Sequence, residues 1–536
     1  MSTAACLCRL KKLWILVAVT LLCISWIPSE AQLLQPYRYE REQKNSDDYF
    51  HVISLEESGL ALFRERDKFK NSNRIWELVF IDSTLKEKSS LELEIKERHK
   101  MIGYETAKNN LYFLFRTGET NRNNLELIDI SYQGKEVGRH LIKPDLDFRL
   151  THFIKAGENF VFGGYVSNES VLVIYEPQAK SLKVVPGFFQ KDTELVDLRA
   201  NENETFNCVL VNRTSRGERK MTFRTFDETG KQLLEDAIPI DEDISLQTGL
   251  TSTLEREDLI IAGTYGEKNA KQSNGFYTVS IDPFDDQKIR YVDFGRLNNF
   301  VNFLNEKRAE RIKENSKEAN AEGRQPGFTS YVMPFRIIEN KNGYFLLAEV
   351  YNPVNSNAMN TTNPYYYNPY YSPFGYNPWG YYYPAMSRMY RPYMYGPPNT
   401  RSANETKTLE TVVLALDEHG NIKWDQSLKL DDIRMPSLQQ IGDFVVRDDK
   451  LYMLYKKESD LVVKSVVLNS DAATEQTEKV RTLHEGDIIR SEKETESGVR
   501  HWFGKSFYVW GYQTLRNTTK ENRVRDVFYI NRVDPY

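Results

Sequence analysis

Outside its first 31 residues this 536-residue chain has a single cysteine, Cys208. Once those residues are removed no intramolecular disulfide can form, and the fold must hold by packing alone. Cys208 sits in the apolar run FNCVLV, the setting of a small buried hydrophobe and not of a reactive thiol. Histidine is scarce too. His51, His99, His140, His152, His419, His484 and His501 show no HxH, HxxxH or HExxH spacing, so no metal site is expected. GxSxG, Walker and GxGxxG patterns are all missing, which leaves no nucleophile elbow or phosphate cradle, and no cofactor is expected. A mean hydropathy of -0.58 with 27% charged residues excludes a polytopic membrane protein. The near-balanced charge of -5 offers no basic footprint for nucleic acid.

What the chain does have is a two-part phrase that recurs about every 45 to 50 residues. The first half is a hydrophobic strand after a polar turn: Leu111 to Phe115, Phe160 to Val166, Phe206 to Val211, Leu259 to Tyr265, Tyr344 to Val350, Leu451 to Tyr455 and Phe507 to Tyr512. The second half is an alternating strand that ends in an apolar residue followed by a turn-making Asp or Asn. Its members are Ile81-Asp82, Ile128-Asp129, Phe226-Asp227, Ile281-Asp282, Leu416-Asp417 and Leu468-Asn469, with Ile530-Asn531 as a degenerate last one. Within one period, Met101 to Glu105, Leu111 to Arg116, Leu125 to Ile130 and Val137 to Leu141 read as four short antiparallel strands, the content of a propeller blade. The expected fold is therefore all-β, a single β-propeller of seven or eight four-stranded blades over residues 50–536. Units begin near Phe50, Lys100, Arg149, Thr193, Leu250, Tyr331, Gly442 and Arg490.

The last unit stops at Tyr536 without an outer strand, and Leu33 to Glu42, in the segment 32–49, is a candidate to supply it and so close the ring. Before that segment, Arg9, Lys11 and Lys12 precede the apolar run Leu13 to Ile27 and a small-residue site at Ala31, the layout of an export signal over residues 1–31. Fifteen apolar residues fall short of the roughly 20 that span a bilayer, so cleavage, a mature chain without a transmembrane segment, and a periplasmic or extracellular address are expected. The formal charge of the mature chain would then be about -7.

Two insertions break the rhythm. Residues 296–325 place Leu297, Phe300, Val301 and Leu304 on one helical face and then become almost wholly charged, which predicts a helix docked by its first turns. Residues 352–404 hold a Tyr/Pro-rich tract in which frequent proline excludes helix and ladder and few aliphatics remain to build a core, which predicts a disordered loop. Tyrosine offers a flat apolar face and a hydroxyl at little entropic cost. Tyr365, Tyr366, Tyr367, Tyr370, Tyr371, Phe374, Trp379, Tyr381, Tyr382 and Tyr383, with Arg388 and Arg391, are therefore the candidate partner-binding residues.

Leu414 to Trp424 (LALDEHGNIKW) resembles the outer-strand motif of quinoprotein-type (PQQ-like) propeller repeats, one residue tighter than that family's pattern, with a weaker echo at Thr225 to Leu234. Structural use accounts for it: Asp417 caps the turn, Gly420 takes positive φ and Trp424 fills an interblade gap. Across the mature chain, the segment Ile260 to Ile281, the opening Phe300 to Leu304, the run Ala348 to Pro353 and the Trp424-Asp425 turn resemble uncharacterised exported propeller proteins of Bacteroidota-type bacteria, a resemblance that implies no known activity. The reading that follows is a non-enzymatic binding or scaffold protein whose partner is a cell-envelope protein or polysaccharide. The alternative is a propeller hydrolase acting on glycans, which requires two carboxyls held across a sugar. The acidic neighbours Asp241-Glu242-Asp243 and Asp285-Asp286 are adjacent in turns, where solvated charge is their ordinary meaning.

Overall fold

The computed structural model describes residues 33–536 except 45, 119–123, 145–146, 168, 189–192, 213–218, 253–258, 269, 282–286, 341, 355–405, 436–437, 469–471 and 520–522. These residues form eight antiparallel sheets arranged as the blades of a propeller. Blade 1 holds β2 to β5 (His51–Ser54, Leu60–Lys70, Asn73–Ile81, Glu87–Lys96) and blade 2 holds β6 to β9 (His99–Ala107, Asn110–Thr117, Leu125–Ser131, Lys135–Ile142). Blade 3 holds β10 to β13 (Phe148–Ala156, Asn159–Val166, Glu169–Glu176, Ser181–Val184) and blade 4 holds β14 to β17 (Thr193–Ala200, Phe206–Asn212, Lys220–Phe226, Gln232–Pro239). In blade 5 the inner strand is split into β18 and β19 (Ile244–Leu246, Leu250–Thr251), followed by β20 to β22 (Leu259–Glu267, Gly275–Ile281, Arg290–Asp293). Blade 6 holds β23 to β26 (Tyr331–Asn340, Gly343–Pro353, Thr406–Leu416, Ile422–Met435) and blade 7 holds β27 to β30 (Asp443–Arg447, Lys450–Lys457, Asp460–Val467, Ala473–Lys479). Blade 8 combines β31 and β32 (Asp487–Glu492, Gly498–His501) with β33 and β34 (Phe507–Asn517, Val524–Pro535), and its outer strand is β1 (Leu33–Glu42) from the other end of the chain.

The hydrophobic runs and the alternating runs have distinct places in each blade. A second strand such as β7, or β11 in blade 3, is buried on both faces because it lies between two neighbouring sheets, and it reads as an unbroken apolar stretch. An outer strand such as β9 shows one face to water and alternates. The core is divided accordingly into eight apolar clusters, one for each seam between successive blades. In the seam between blades 1 and 2, Phe63 stacks on Phe113 at 4.2 Å and on Trp76 at 4.7 Å. Fully burying each such ring contributes about 1.5–3 kcal/mol.

The recurring Asp after the third strand builds the same turn three times. Asp82 Oδ1 accepts from the Thr84 and Lys86 amides (2.8 and 3.0 Å), Asp227 Oδ1 from Thr229 and Lys231 (both 2.9 Å), and Asp417 Oδ1 from His419 and Asn421 (3.0 and 2.8 Å). Gly420 in the last of these has φ +82°. Blade 2 differs from the expectation for Ile128-Asp129. Asp129 lies inside β8, and the turn falls at Ser131 and Gly134, because the strand runs two residues further before it reverses. Asn531 is likewise no turn residue: it is buried in β34.

β1 pairs along β34 from Leu33↔Pro535 to Glu42↔Val527. Polar side chains clamp the pair. Asn531 Nδ2 donates to Gln35 Oε1 and to the Arg481 carbonyl, both at 2.9 Å, and Asn531 Oδ1 accepts from Arg38 Nη1 at 3.0 Å. Since strands alternate in direction, the turns between second and third strands and the crossings to the next blade share one face of the ring. Leu33 and Tyr536 lie at the opposite face.

Candidate functional site

Blade 6 carries the longest outer strand, while β3 in blade 1 and β33 in blade 8 match its second strand at 11 residues. Its β24, β25 and β26 run 11, 11 and 14 residues, and their upper ends pair as Pro353↔Thr406 and Thr406↔Met435. The three strands rise past the ring as a spur, from whose tip residues 355–405 leave and return. Register shifts at Val350/Tyr351 and Thr408/Glu410 bend the spur toward blade 7. There Tyr351, Ile433, Met435 and Leu438 join Tyr455 in the apolar seam between blades 6 and 7. Tyr331 covers Tyr351 with ring centroids 5.5 Å apart.

The charged insertion leaves the ring at the crossing into blade 6 and packs along the outer edge of the seam between blades 5 and 6. Its helix, α1 (Glu306–Ala321), starts after Asn305, whose side chain accepts from the Arg308 amide. Leu297, Phe300, Val301 and Leu304 lie in the turns that precede α1, not on the helix; the first three are buried in the seam between blades 5 and 6. The helix docks along its whole length instead, through Ala309, Ile312, Ser316 and Ala319. The Ser316 hydroxyl donates to Asp293, and Asn320 Nδ2 donates to the other Asp293 oxygen at 2.8 Å. A Cβ on Gly295 would stand 2.5 Å from Ser316 Cβ, so glycine is what lets the helix lie this close. Asp425 on β26 receives the amides of Asn298 and Asn299 at 2.8 and 2.6 Å. Burial pushes its carboxyl upward and those amides oppose the rise. Both anchoring acids are thus invisible to a helical-face reading, since neither lies on the helix.

Beside the spur a shallow groove runs between blades 6, 7 and 8, lined by Ile433, Met435, Gln440, Ile441, Lys457 and Glu494. Below it, Lys456 pairs with Glu492, and its ammonium also donates to Ser497 Oγ at 3.1 Å. Burial lowers the Lys456 ammonium from its ordinary value, and the adjacent Glu492 partly restores it. Glu492 further accepts from Ser459 (2.7 Å), Gln513 (3.0 Å) and Tyr529 (2.6 Å), which makes the seam a saturated polar network. Toward the channel, Asp443 is fully buried; it accepts from Arg336, from the Phe444 amide and from the His501 amide at 2.8 Å. His51 and His152 lie in inner strands, where burial holds their rings at about 4 and about 3, so they are neutral at physiological pH.

All twelve candidate partner-binding residues, Tyr365 to Arg391, lie outside the described residues. Trp424 packs against Phe345 with ring centroids 5.8 Å apart, at the seam between blades 6 and 7. Cys208 is buried, and burial raises its thiol far above the ordinary value.

No family model matches the sequence, and no curated protein does. Among solved structures the chain is similar to a polysaccharide lyase, Uly1, at 8% identity over 93% of this chain and 99% of that one, with a TM-score of 0.37. It is also similar to the β-propeller domain of the Trilobed protease from Pyrococcus furiosus at 10% identity, over 81% of this chain and 93% of that one, with a TM-score of 0.32. Against the acylaminoacyl peptidase of Pyrococcus horikoshii the figures are 10%, 80% and 52%, with a TM-score of 0.32, so the chain spans about half of that protein. At such identities none of the chemistry of those proteins carries over to this chain.

Proposed function

We propose that this protein is an exported, non-enzymatic binding or scaffold protein of the cell envelope, which presents one face of its propeller to a protein or polysaccharide partner. The observation that supports this reading most is the placement of the extra chain. Both insertions leave the ring through connections on one face, the crossing into blade 6 and the turn between its second and third strands, and Leu33 and Tyr536 lie at the other. The tyrosines and arginines of 355–405 supply the amphipathic contacts such a face needs. The glycan-hydrolase alternative requires two carboxyls held across one sugar, one of them of raised pKa; among the raised acids Glu349 and Glu410 are fully enclosed, while the half-buried Glu65, Asp129 and Asp236 lie in blades 1, 2 and 4.

The test is cross-linked capture from native envelope by the mature protein and by a variant lacking 355–405. Because Pro353 and Thr406 already pair, a short turn can join them and the propeller is expected to melt unchanged. Loss of a specific protein or glycan with the deletion supports the proposal; identical capture by both proteins refutes the assignment to this segment.

A further inference from the structure

Three of the eight seams carry one recurring contact. In blade 3, Tyr165 on the second strand accepts the amide of Leu195, at the start of the inner strand of blade 4, at 3.0 Å. In blade 8, the Tyr512 hydroxyl accepts the amide of Phe50, at the start of blade 1. In blade 6 the same job falls to a carboxylate: Glu349 Oε1 accepts from Ile441 at 2.9 Å and from Gly442 at 2.7 Å, where blade 7 begins. Two of the positions are equivalent by register and all three by spacing. Tyr165 pairs with Arg149 and Glu349 with Met333, each two residues ahead of the inner-strand bulge, at Leu150/His152 and Pro334/Arg336 respectively. Tyr165, Glu349 and Tyr512 also stand equally far from the second-strand residues Phe160, Tyr344 and Phe507.

We propose that Glu349 makes the seam between blades 6 and 7, at the foot of the spur, a pH-responsive latch that is closed in acid and loosens as the pH rises. A tyrosine hydroxyl can accept an amide without ever carrying charge near neutrality; burial moves the Tyr512 hydroxyl still further upward. A carboxyl has no such immunity. Glu349 is fully buried, and one oxygen takes all the bonds, including one from Thr411 Oγ1 at 3.1 Å, while Oε2 has no hydrogen-bond partner among the described residues. A negative charge on this group is therefore solvated on one side only. Burial accordingly raises the carboxyl to about 7, against the pull of the Gly442 and Ile441 amides, Arg500 and Thr411.

The charged surroundings supply little to offset this. Arg500 on β32 favours the anion, but it already donates to the Gln440 carbonyl at 2.7 Å. Asp443, next to Gly442 on β27, is engaged by Arg336 of β23 and by the His501 amide of β32. Glu410, next to Thr411 on β25, is itself buried, and burial raises it well above the ordinary value. With the folded value above the ordinary one of 4.5, the closed seam is favoured fully below that value, and the advantage is lost as the pH rises through about 7. At tenfold per unit, the opening equilibrium of this seam rises about 300-fold across that window.

Native-state hydrogen exchange read by mass spectrometry on the full chain tests this, with rates corrected for intrinsic pH dependence. Wild type and Glu349→Gln are compared at about pH 4.5 and about pH 8.5. Glutamine keeps an amide-accepting oxygen and cannot titrate. Expected is a rise of about 150-fold in opening for the peptide containing Ile441 and Gly442 in wild type, with a change at least about tenfold smaller in the variant, where Glu410 is the buried carboxyl that remains nearby. Peptides containing Leu195 and Phe50, held by tyrosines, serve as controls within wild type: burial keeps the neighbouring His152 and His51 neutral, which loosens those seams only in acid, so neither is expected to open as the pH rises. The latter comparison decides the matter even if the variant fails to fold. An equal response at all three seams, or none at Gly442, overturns the proposal.

Discussion

The ring closes through a strand from the far end of the chain, and Asn531→Ala is the substitution that tests how. Asn531 is fully buried and contributes three hydrogen bonds: to Gln35 and the Arg481 carbonyl as donor, and to the Arg38 guanidinium as acceptor. Two of these are neutral, at about 0.5–1.5 kcal/mol each, and the charged one contributes about 1.5–3 kcal/mol. Gln35 and Arg38 keep other partners, since Gln35 holds the Lys479 carbonyl and the Arg481 amide while Arg38 holds Glu40 and Gln513. The loss therefore comes to about 3 kcal/mol, not the cost of stranding every group. Because β1 is paired along one edge only, the loss is expected first in β1 itself. Urea denaturation gives the overall change, and hydrogen exchange in Leu33–Glu42 reports the local one, with β1 amides opening by about two orders of magnitude more than those of β33. A change under about 0.5 kcal/mol with unaltered protection of β1 would show that backbone pairing alone closes the ring.

Gly343→Ala is expected to lower stability by about 2–4 kcal/mol in the same assay, since φ is +140° and the new Cβ would stand 2.0 Å from the Leu416 carbonyl oxygen; Gly59→Ala, with φ +125° and 1.9 Å to the Ile81 oxygen, should match it, and a cost below about 0.5 kcal/mol at both would refute the close-approach argument. Asp417→Asn tests the turn: partial burial pushes the wild-type carboxyl up, but the Asn421 and His419 donors outweigh it and hold it below 3.8, so the advantage of wild type, about 1–2 kcal/mol, is present above that pH and disappears as the pH falls further, and a difference independent of pH would contradict the capping role.

The repeat was legible because a propeller blade imposes different chemistry on each of its strands. A second strand lies between two sheets and reads as an unbroken apolar run, as at Leu111 to Phe115, while the turn after the third strand needs an acceptor for its own amides, as at Asp82, Asp227 and Asp417. Both are local demands, and local demands leave local marks. Asp129 shows the limit, since an Asp near the end of an alternating run carries no mark that distinguishes a turn cap from a strand residue; Gly134, which makes the actual turn with φ +77°, was the better signal. For the helical insertion, charge composition located α1, but the apolar spacing of Leu297 to Leu304 imitated a helix face that the chain uses as a buried turn.

The sequence by itself determined an all-β chain of repeated four-stranded units with two insertions in one region, because strand periodicity and turn chemistry depend on neighbours a few residues away. Only the tertiary structure decided that the blades number eight, that Asn531 is a clamp, and that Glu349 stands where Tyr165 and Tyr512 stand in other blades. Those facts depend on which amide of the next blade lies opposite a given side chain, a relation set by sheet stacking across a seam and invisible to spacing along the chain.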